Sequence, residues 1–323
     1  MNYIKTFYII VKNMGPLVYI VLPVYNWEKY LLQQLMSIYF QDYENWHLVV
    51  VNDWSTDSTK SIIDKFILNY KLQRKVTVIN QNNSWVNKSV EHWLIAVNKF
   101  VKEAWHNNSY VTFCDADDLL TTNKLSYQVN YMETHKDCDL SYHDLALIDE
   151  NNSVTNLSFL KTLNKSLWTN IKCDKFYEFG LSNHIPSNTP MFKTDKIDIL
   201  LPFPEAFPFH DWWTALVFSW NNCKIVNLWV ILWYYRRIKN WTSESWKKYK
   251  LDIIFDNFVI SLKIMKENLT NKKRINEIDE YIKYYKDKWE WMKNKNPLLF
   301  QRIKTMFKHP KIIIYKLLSY IKY

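Results

Sequence analysis

Residues 17–59 read LVYIVLPVYNWEKYLLQQLMSIYFQDYENWHLVVVNDWSTDST, and this stretch decides the fold. Two continuous apolar runs are typical of buried parallel strands, Leu17–Leu22 and His47–Val51. Between them, residues 28–40 place apolar side chains on one face of a helix, and residues 56–70 repeat that pattern after the second run. The order strand, helix, strand, helix predicts an α/β fold with a Rossmann-like, mostly parallel central sheet flanked by helices.

The alternation continues beyond this stretch. Further strands are predicted over Val76–Ile79 and Tyr110–Cys114, with a helix over Asn87–Val101 between them. We expect Pro23 to end the first strand, because proline lacks the N–H that a sheet ladder uses. Ligands of such sheets lie beyond the carboxyl ends of the strands, so the polar loops that follow the strands are where a site is expected.

The later half of the chain is less regular. We expect a helix around Leu125–Met132, a loosely alternating segment over Asp139–Asp149, a helix over Trp212–Trp220 and two short strands between Lys224 and Tyr235. From Glu244 onward the sequence is typical of basic helices.

Composition excludes several classes of protein. The 323 residues are 48% hydrophobic and 23% charged, which excludes a disordered chain. The four cysteines include no C-x-x-C pair, which argues against a disulfide scaffold or a zinc ribbon. No apolar run reaches the roughly 18–20 residues of a membrane span. We therefore expect a cytoplasmic protein, either free or peripheral on the inner face of the cell membrane.

Two acidic motifs follow predicted strands. Asp115-Ala116-Asp117-Asp118 offers carboxylates that can hold Mg²⁺ or Mn²⁺, and through the ion a phosphate, or else forms the acidic first turn of a helix. Asp53 lies in the second motif, Asn52–Asp57, where a carboxylate can accept a nucleobase N–H. The alternative for this motif is the capped start of a helix.

These motifs occur in a known order. The segment Val21–Thr59 resembles the opening of family 2 glycosyltransferases of the GT-A fold, with a strand ending in P-x-Y-N-G, a helix with S-I-x-x-Q, and then D-D-G-S-x-D. Three further blocks agree in order, SWVNKSVEHWL, FCDADDLL and FPFHDWWTAL. LPFPE before the last block and YYRR after it are most similar to the rhamnosyltransferase-type branch. The resemblance covers residues 17–243.

The resemblance implies a nucleotide-sugar donor and the residues that bind it. Pro23, Val24 and Tyr25 would line the nucleobase. Asp53 would accept the base N–H, and Lys88 would contact the base or the diphosphate unless it is a solvated helix lysine.

The resemblance also implies the residues around the reacting groups. Asp115 would hold the ribose or the metal, and Asp117 would ligate Mg²⁺ or Mn²⁺. Asp211 matches the catalytic base, which takes the proton of the attacking hydroxyl. His210 and Trp212 would lie on the acceptor side, unless this acidic segment simply starts a helix.

The implied activity is therefore an inverting, metal-dependent transfer of a sugar, with rhamnose suggested by the branch, to a cell-surface polysaccharide or lipid-linked glycan. A catalytically inactive GT-A domain that serves as a binding subunit is the alternative. A nucleic-acid-binding protein would suit the net charge of +10. We expect no nucleic-acid partner, because acidic loops at the presumed site would repel phosphates.

One departure from the family pattern concerns glycine. The chain has 2 glycines and 16 tryptophans, where average usage of about 7% predicts roughly 23 glycines. Trp27, Trp54, Trp85 and Trp93 stand where the family pattern has glycine, and an indole beside Asp53 would block a nucleotide pocket. Some bacterial genetic codes read UGA as tryptophan and others as glycine. We hypothesise that many of these tryptophans are glycine in the living protein.

The two ends of the chain are predicted separately from the GT-A domain. Residues 1–16 are interpreted as a leader of uncertain order, residues 17–243 as the glycosyltransferase domain and residues 244–323 as a basic helical region. Apolar and basic residues alternate after Pro297 in a pattern suited to an anionic membrane surface. Helices packed on the catalytic domain are the alternative.

Overall fold

The computed structural model describes residues 15–81, 91, 94–99, 101–102, 108–159, 185–203 and 210–238, and isolated positions between 259 and 290. The chain divides into two compact units. The first comprises residues 1–179, 183–203 and 210–239, and the second comprises residues 180–182, 204–209 and 240–323. Lys88, Trp85, Trp93 and the segment after Pro297 lie outside the described residues.

Four parallel strands form the first half of the central sheet. Their order across the sheet is β3-β2-β1-β4, and their bounds are β1 Leu17–Val24, β2 Trp46–Asn52, β3 Val76–Asn80 and β4 Ser109–Phe113. The continuous apolar sequence of β1 and β2 is explained by burial, because nearly every residue of both strands is shielded from solvent.

Two helices pack their apolar faces into one core with these strands, α1 (Leu31–Tyr39) and α2 (Thr59–Asn69). Both begin later than the sequence predicts, because the preceding residues are held in loops. The backbone N–H of Glu28 donates to Asp57 Oδ2 (3.1 Å), and that of Ser58 donates to Glu28 Oε2 (3.0 Å). Residues 94–99 and 101–102 are helical, as predicted for that segment.

The prediction that Pro23 ends the first strand is wrong. Strand β1 continues to Val24, and Pro23 pairs with Val51 in β2. Pairing with β4 stops at Val21, so the missing N–H of Pro23 costs no bond on that side.

The second half of the described chain adds five strands and three helices. They are β5 Leu119–Leu120, α3 Lys124–Thr134, β6 Leu140–Ile148, β7 Val154–Asn156, β8 Met191–Lys193, a 3₁₀ turn Thr194–Lys196, α4 Ile197–Leu200, α5 His210–Trp220 and β9 Ile225–Arg236. This half of the sheet is mixed, and its order continues β4-β8-β6-β9-β5 with β7 beside β6. Strand β8 is antiparallel to β4 and β6, β9 is parallel to β6, and β5 is antiparallel to β9.

The prediction of two short strands between residues 224 and 235 is also wrong, since β9 is one strand of 12 residues. Its pairing with β6 shifts register after Asn227, and Trp229 lies in the irregular stretch with a backbone φ of +55°. The sequence suggests two strands because this local irregularity interrupts the apolar pattern. Pairing with β6 resumes beyond it and keeps the two halves in one strand.

Candidate functional site

The carboxyl ends of the parallel strands meet at one edge of the sheet. The backbone N–H of Asp53 donates to the carbonyl of Val24 (2.9 Å), which joins the ends of β2 and β1. The N–H of Cys114 donates to Val21 (2.8 Å), which joins β4 to β1. The loops that carry the predicted nucleotide and metal residues are therefore neighbours, as expected for a sheet of this kind.

The predicted nucleobase residues lie at the ends of β1 and β2. Pro23 is half-buried, Val24 is buried, and Tyr25 is 45% exposed. Asp53 is buried, and Gln81, directly after β3, donates from Nε2 to its Oδ1 (3.3 Å). Gln81 belongs to none of the sequence motifs, because only the pairing of β3 with β2 brings it to Asp53.

A set of reciprocal hydrogen bonds joins the loops after β1 and β2. Asn26 donates from its backbone N–H to Ser55 Oγ (3.1 Å), and its Oδ1 accepts from the N–H of Thr56 (2.8 Å). Asp57 Oδ1 accepts from the N–H of Thr59 (2.9 Å) at the start of α2. In the motif Asn52–Asp57, Asp57 thus accepts a hydrogen bond at the start of α2. Asp53 instead lies at the carboxyl end of β2, at the edge of the sheet.

Hydrogen bonding also shifts the acidity of Asp57. Partial burial raises the pKa of its carboxyl, but bonds from Thr59 and Glu28 outweigh this effect and hold the pKa below its usual value.

The backbone of Trp54, beside Asp53, adopts a φ of +62°, and its indole is 62% exposed. Residues other than glycine, asparagine and aspartate seldom adopt this left-handed backbone conformation. Trp27 does not share this conformation, and its carbonyl accepts from Leu31 (3.1 Å) at the start of α1. The backbone therefore supports a native glycine at Trp54, and at Trp27 it does not distinguish glycine from tryptophan.

The acidic loop after β4 combines half-buried and fully buried carboxylates. Asp115 and Asp117 are half-buried, and Asp118 is fully buried. Strand β5 follows directly, so the alternative of an acidic first helical turn does not hold. Asp118 Oδ2 accepts from Trp233 Nε1 (2.9 Å), and its Oδ1 accepts from the N–H of Arg236 (2.8 Å).

Burial raises the pKa of Asp118 well above its usual value, and the neighbouring charges of Asp117 and Asp115 raise it further. The bonds from Arg236 and Trp233 offset part of this effect.

Asn188 belongs to none of the sequence motifs, yet it contacts the acidic loop directly. Its side-chain Nδ2 donates to Asp115 Oδ2 (2.6 Å) and to Asp118 Oδ2 (2.8 Å). Ser187 Oγ adds a longer bond to Asp115 Oδ2 (3.4 Å). Ser187 and Asn188 lie between two prolines, and this composition predicts a turn. It does not predict that the turn lies against the acidic loop at the end of β4.

The side chain of Arg236 is buried beneath this loop. Its guanidinium donates to the carbonyl of Asp117 (2.6 Å), to the carbonyl of Asp149 (3.0 Å), and to two side-chain oxygens, Asn152 Oδ1 (2.6 Å) and Gln33 Oε1 (3.1 Å). The guanidinium thus connects the acidic loop, the turn after β6 and helix α1.

Helix α5 begins beside the end of β4. The ring of His210 contacts Phe113 edge-on, with 5.6 Å between the ring centroids. Asp211 is half-buried in the first turn, where its Oδ1 accepts from the N–H of Trp212 (2.9 Å). Trp212 is only 6% exposed, so little of its ring is open to an acceptor.

The acidic loop fits a divalent cation that shares its ligands with a substrate. Among the residues that the structure describes, no group of three or more His, Cys, Asp or Glu converges on one point. Mg²⁺ in nucleotide enzymes is commonly held by one or two carboxylates together with substrate phosphates and water. Asp115 and Asp117 supply such a pair, with Asp118 committed to structural bonds.

The match to a known protein family covers the part of the chain that carries Asp53, Asp115 and Asp117. The family model described as Glycosyl transferase family 2 matches residues 19–193, just over half of the chain. Similar proteins of Bacillus subtilis are the putative glycosyltransferase EpsE, 29% identical over 138 residues, and the putative teichuronic acid biosynthesis glycosyltransferase TuaG, 28% identical over 137 residues. These matches cover 43% and 42% of this chain. The chain spans about half the length of these relatives, at 46% and 49%.

Solved structures share the fold. TarS residues 1–349 of S. aureus, in complex with UDP-GlcNAc, match with a TM-score of 0.55 at 20% identity over 83% of this chain and 71% of that one. The mannosyltransferase PcManGT of Pyrobaculum calidifontis, in complex with GDP-Man and Mn²⁺, matches with a TM-score of 0.55 at 15% identity over 95% and 87%. At these identities the likeness shows the fold alone, and the predicted GT-A fold is confirmed. Since the matched segment runs from β1 through the acidic loop to β8, the chain belongs to glycosyl transferase family 2.

Proposed function

We propose that this chain transfers a sugar from a nucleoside diphosphate to a hydroxyl group of a glycan. One observation carries the proposal. The strand end with Asp53 and the loop with Asp115 and Asp117 occupy one edge of the sheet, and His210, which precedes Asp211 at the start of α5, contacts Phe113 at the end of β4. The arrangement offers carboxylates to a nucleobase, to a diphosphate-bound cation and to an incoming alcohol.

The donor's base would lie against the loop after β1. Tyr25 offers an exposed ring, and the backbone of Pro23 and Val24 borders Asp53, whose carboxylate would accept the base N–H. The UDP-GlcNAc of the TarS complex and the GDP-Man of the PcManGT complex support a nucleotide-sugar donor. Lys88 stays a prediction for the base or the diphosphate.

Asp115 and Asp117 would hold Mg²⁺ or Mn²⁺, and Mn²⁺ in the PcManGT complex supports a divalent ion. When bound, such an ion neutralises charge on the departing diphosphate. Asp211 would take the proton of the acceptor hydroxyl as its oxygen attacks the anomeric carbon of the donor sugar. The attack would come from the side opposite the departing diphosphate, which inverts the configuration at that carbon. His210 stays a prediction for the acceptor side, and Trp212 could offer the acceptor only the small part of its side chain that is not buried.

For the substrates we propose a cell-surface polysaccharide or lipid-linked glycan as acceptor, and rhamnose as the first donor sugar to test. The teichuronic acid biosynthesis named for TuaG supports the acceptor class, and the FPFHDWWTAL and YYRR segments support the sugar.

The structure contains no helix, within its described residues, that has the length and apolar character of a membrane span. We propose that the segment after Pro297 binds an anionic membrane from the cytoplasmic side.

The activity is tested by measuring the release of nucleotide from UDP-, GDP- and dTDP-sugars in the presence of Mn²⁺. The assay uses both the unchanged chain and Trp54→Gly. Asp211→Asn should lower kcat by about 100-fold or more with nucleotide binding retained. Asp198→Asn, an exposed carboxylate paired with Lys102, is the control and should have no effect. Turnover unchanged by Asp117→Ala and Asp211→Asn together would refute the site. Nucleotide binding without any turnover would favour the inactive binding subunit.

Membrane binding is tested by flotation with liposomes that contain anionic lipid. The full chain should float and a chain ending at Pro297 should not. Equal recovery of the two would refute the membrane proposal.

A further inference from the structure

The side chain of Asn188 joins two carboxylates of the acidic loop. Its amide has two N–H groups, and the bonds to Asp115 Oδ2 (2.6 Å) and Asp118 Oδ2 (2.8 Å) use both. Asn188 is 1% exposed, and its Oδ1 has no hydrogen-bond partner. Exchanging the positions of nitrogen and oxygen would set an oxygen against two carboxylates, so these contacts fix the orientation of the amide.

The turn that carries Asn188 is itself held from several sides. The N–H and Oγ1 of Thr189 donate to the carbonyl of Pro186 (3.0 and 2.8 Å), which closes the turn. Thr112 Oγ1, in β4, donates to the carbonyl of Pro190 (2.8 Å), and Gln128 Nε2, in α3, donates to the carbonyl of Thr189 (3.0 Å).

A buried lysine completes this support. Lys124 Nζ donates to Thr112 Oγ1 and to Gln128 Oε1, both at 2.8 Å, so the two side chains that hold the turn are also held to each other. Lys124, Gln128 and Thr112 are fully buried. Asn188 therefore projects from a rigid base on β4 and α3 toward the acidic loop.

We propose that Asn188 is a positioning residue of the nucleotide-sugar site, which holds the Asp115 carboxylate beside buried Asp118 and so sets the direction in which Asp115 faces the donor. The inference rests on the proposed function of that loop. Buried Asp118 is held by hydrogen bonds from two residues of β9, and the amide links it to the half-buried Asp115. Without the amide, two neighbouring carboxylates would repel each other and Asp115 would be free to turn toward solvent.

The test compares Asn188→Ala and Asn188→Asp with the unchanged chain. The alanine variant removes both bonds, and the aspartate variant keeps the shape but replaces the donor with an acceptor. Thr194→Val is the matched control, because Thr194 is equally buried at the far end of the β4–β8 pair and bonds to Ser109 (2.8 Å). Calorimetry measures the Kd and stoichiometry for UDP, GDP and dTDP with Mn²⁺, and unfolding without ligand is recorded for each variant.

We expect both Asn188 variants to weaken nucleotide–Mn²⁺ binding by about tenfold or more, because hydrogen bonds to charged groups are lost. Thr194→Val should leave the Kd unchanged even if its melting temperature falls. A merely structural role would lower the stoichiometry and the melting temperature while leaving the Kd of the folded fraction intact, and would overturn the proposal. A Kd that Asn188→Asp preserves would also overturn it. The same comparison is made in a Trp54→Gly background, where no indole lies beside Asp53. If neither the unchanged chain nor Trp54→Gly binds any of the three nucleotides, the proposed function itself fails.

Discussion

At the scale of single residues, tryptophan in a left-handed backbone is the feature that most needs explanation. Trp54 and Trp229 have φ values of +62° and +55°, and their indoles are 62% and 65% exposed. Burial therefore gives little to offset a strain of about 1–2 kcal/mol per residue. Glycine adopts this conformation freely, so both positions suit the hypothesis that UGA codons are read as glycine.

The prediction concerns both the native protein and its stability. The peptide Val49–Lys60 from the source organism should have the mass expected for glycine at position 54. Trp54→Gly and Trp229→Gly should each raise the free energy of unfolding by about 1 kcal/mol, as measured by denaturant titration. Trp27→Gly is the control and should be destabilising, because Trp27 packs against the core without a positive φ. An intact tryptophan mass at position 54 would end the hypothesis.

At the scale of elements, Arg236 at the end of β9 connects parts that are distant in sequence. Its guanidinium donates to the acidic loop at Asp117, to the turn after β6 at Asp149 and to α1 at Gln33, and it lies over the ring of Tyr30 at 4.3 Å. The planar group with several donors suits this task, and a lysine ammonium cannot reach the same partners.

Arg236→Lys should therefore lower the free energy of unfolding by about 2–4 kcal/mol, because buried acceptors lose their donors. Arg237→Lys is the matched control, since the neighbouring side chain is exposed and should change stability little. Urea unfolding of the two variants measures the difference. Equal stability of the two variants would show that the bonds of Arg236 contribute nothing net.

Helix α3 brings a buried charge against the sheet. Burial lowers the pKa of Lys124 to about 8. Between this pKa and the value near 10.4 in the unfolded chain, the unfolded state binds more protons than the folded state. The contribution of Lys124 to stability is therefore unfavourable below pH 8 and improves as the pH rises through this window.

The matching measurement is the difference in unfolding free energy between the unchanged chain and Lys124→Met. This difference should shift in favour of the unchanged chain by on the order of 1–2 kcal/mol between pH 7.5 and about 9.5. The comparison cancels the contribution of buried Tyr110, whose raised pKa acts in the opposite direction and does not depend on Lys124. A difference independent of pH would show that Lys124 keeps an ordinary pKa.

At the scale of the whole molecule, the candidate site belongs to the sheet edge and to no single element. Asp53 and Asp117 follow different strands, with β1 between those strands. A ligand that contacts both should stabilise the folded state in proportion to the logarithm of its concentration. UDP, GDP or dTDP with Mn²⁺ at about 100 times Kd should add roughly 2.7 kcal/mol, seen as a rise in melting temperature.

EDTA should remove this rise, because the diphosphate would then lack its cation. Asp53→Ala and Asp117→Ala should each remove most of it, whereas Asp64→Ala, an exposed helix residue paired with Lys60, should not. A rise that survives both site variants would place nucleotide binding elsewhere on the molecule.

Much of the fold was predictable because its signals are local. Apolar runs predicted β1 and β2, helical periodicity predicted α1 and α2, and their alternation predicted the parallel half of the sheet. The strand through Pro23 and the unbroken β9 were missed, because a partner strand decides which backbone groups need to pair. The same limit applied to the site, where motif order pointed to Asp53 and Asp115 and nothing pointed to Asn188.

The sequence by itself determined the alternating strands and helices and the acidic residues at the strand ends, because periodicity and neighbouring residue types act along the chain. Only the tertiary structure decided how Asp115, Asp117 and Asp118 divide their tasks. Burial under β9 commits Asp118 to Trp233 and Arg236, and a turn some 70 residues later provides the amide for Asp115. These roles depend on which donors reach each carboxylate and on how much water remains there, and long-range packing sets both.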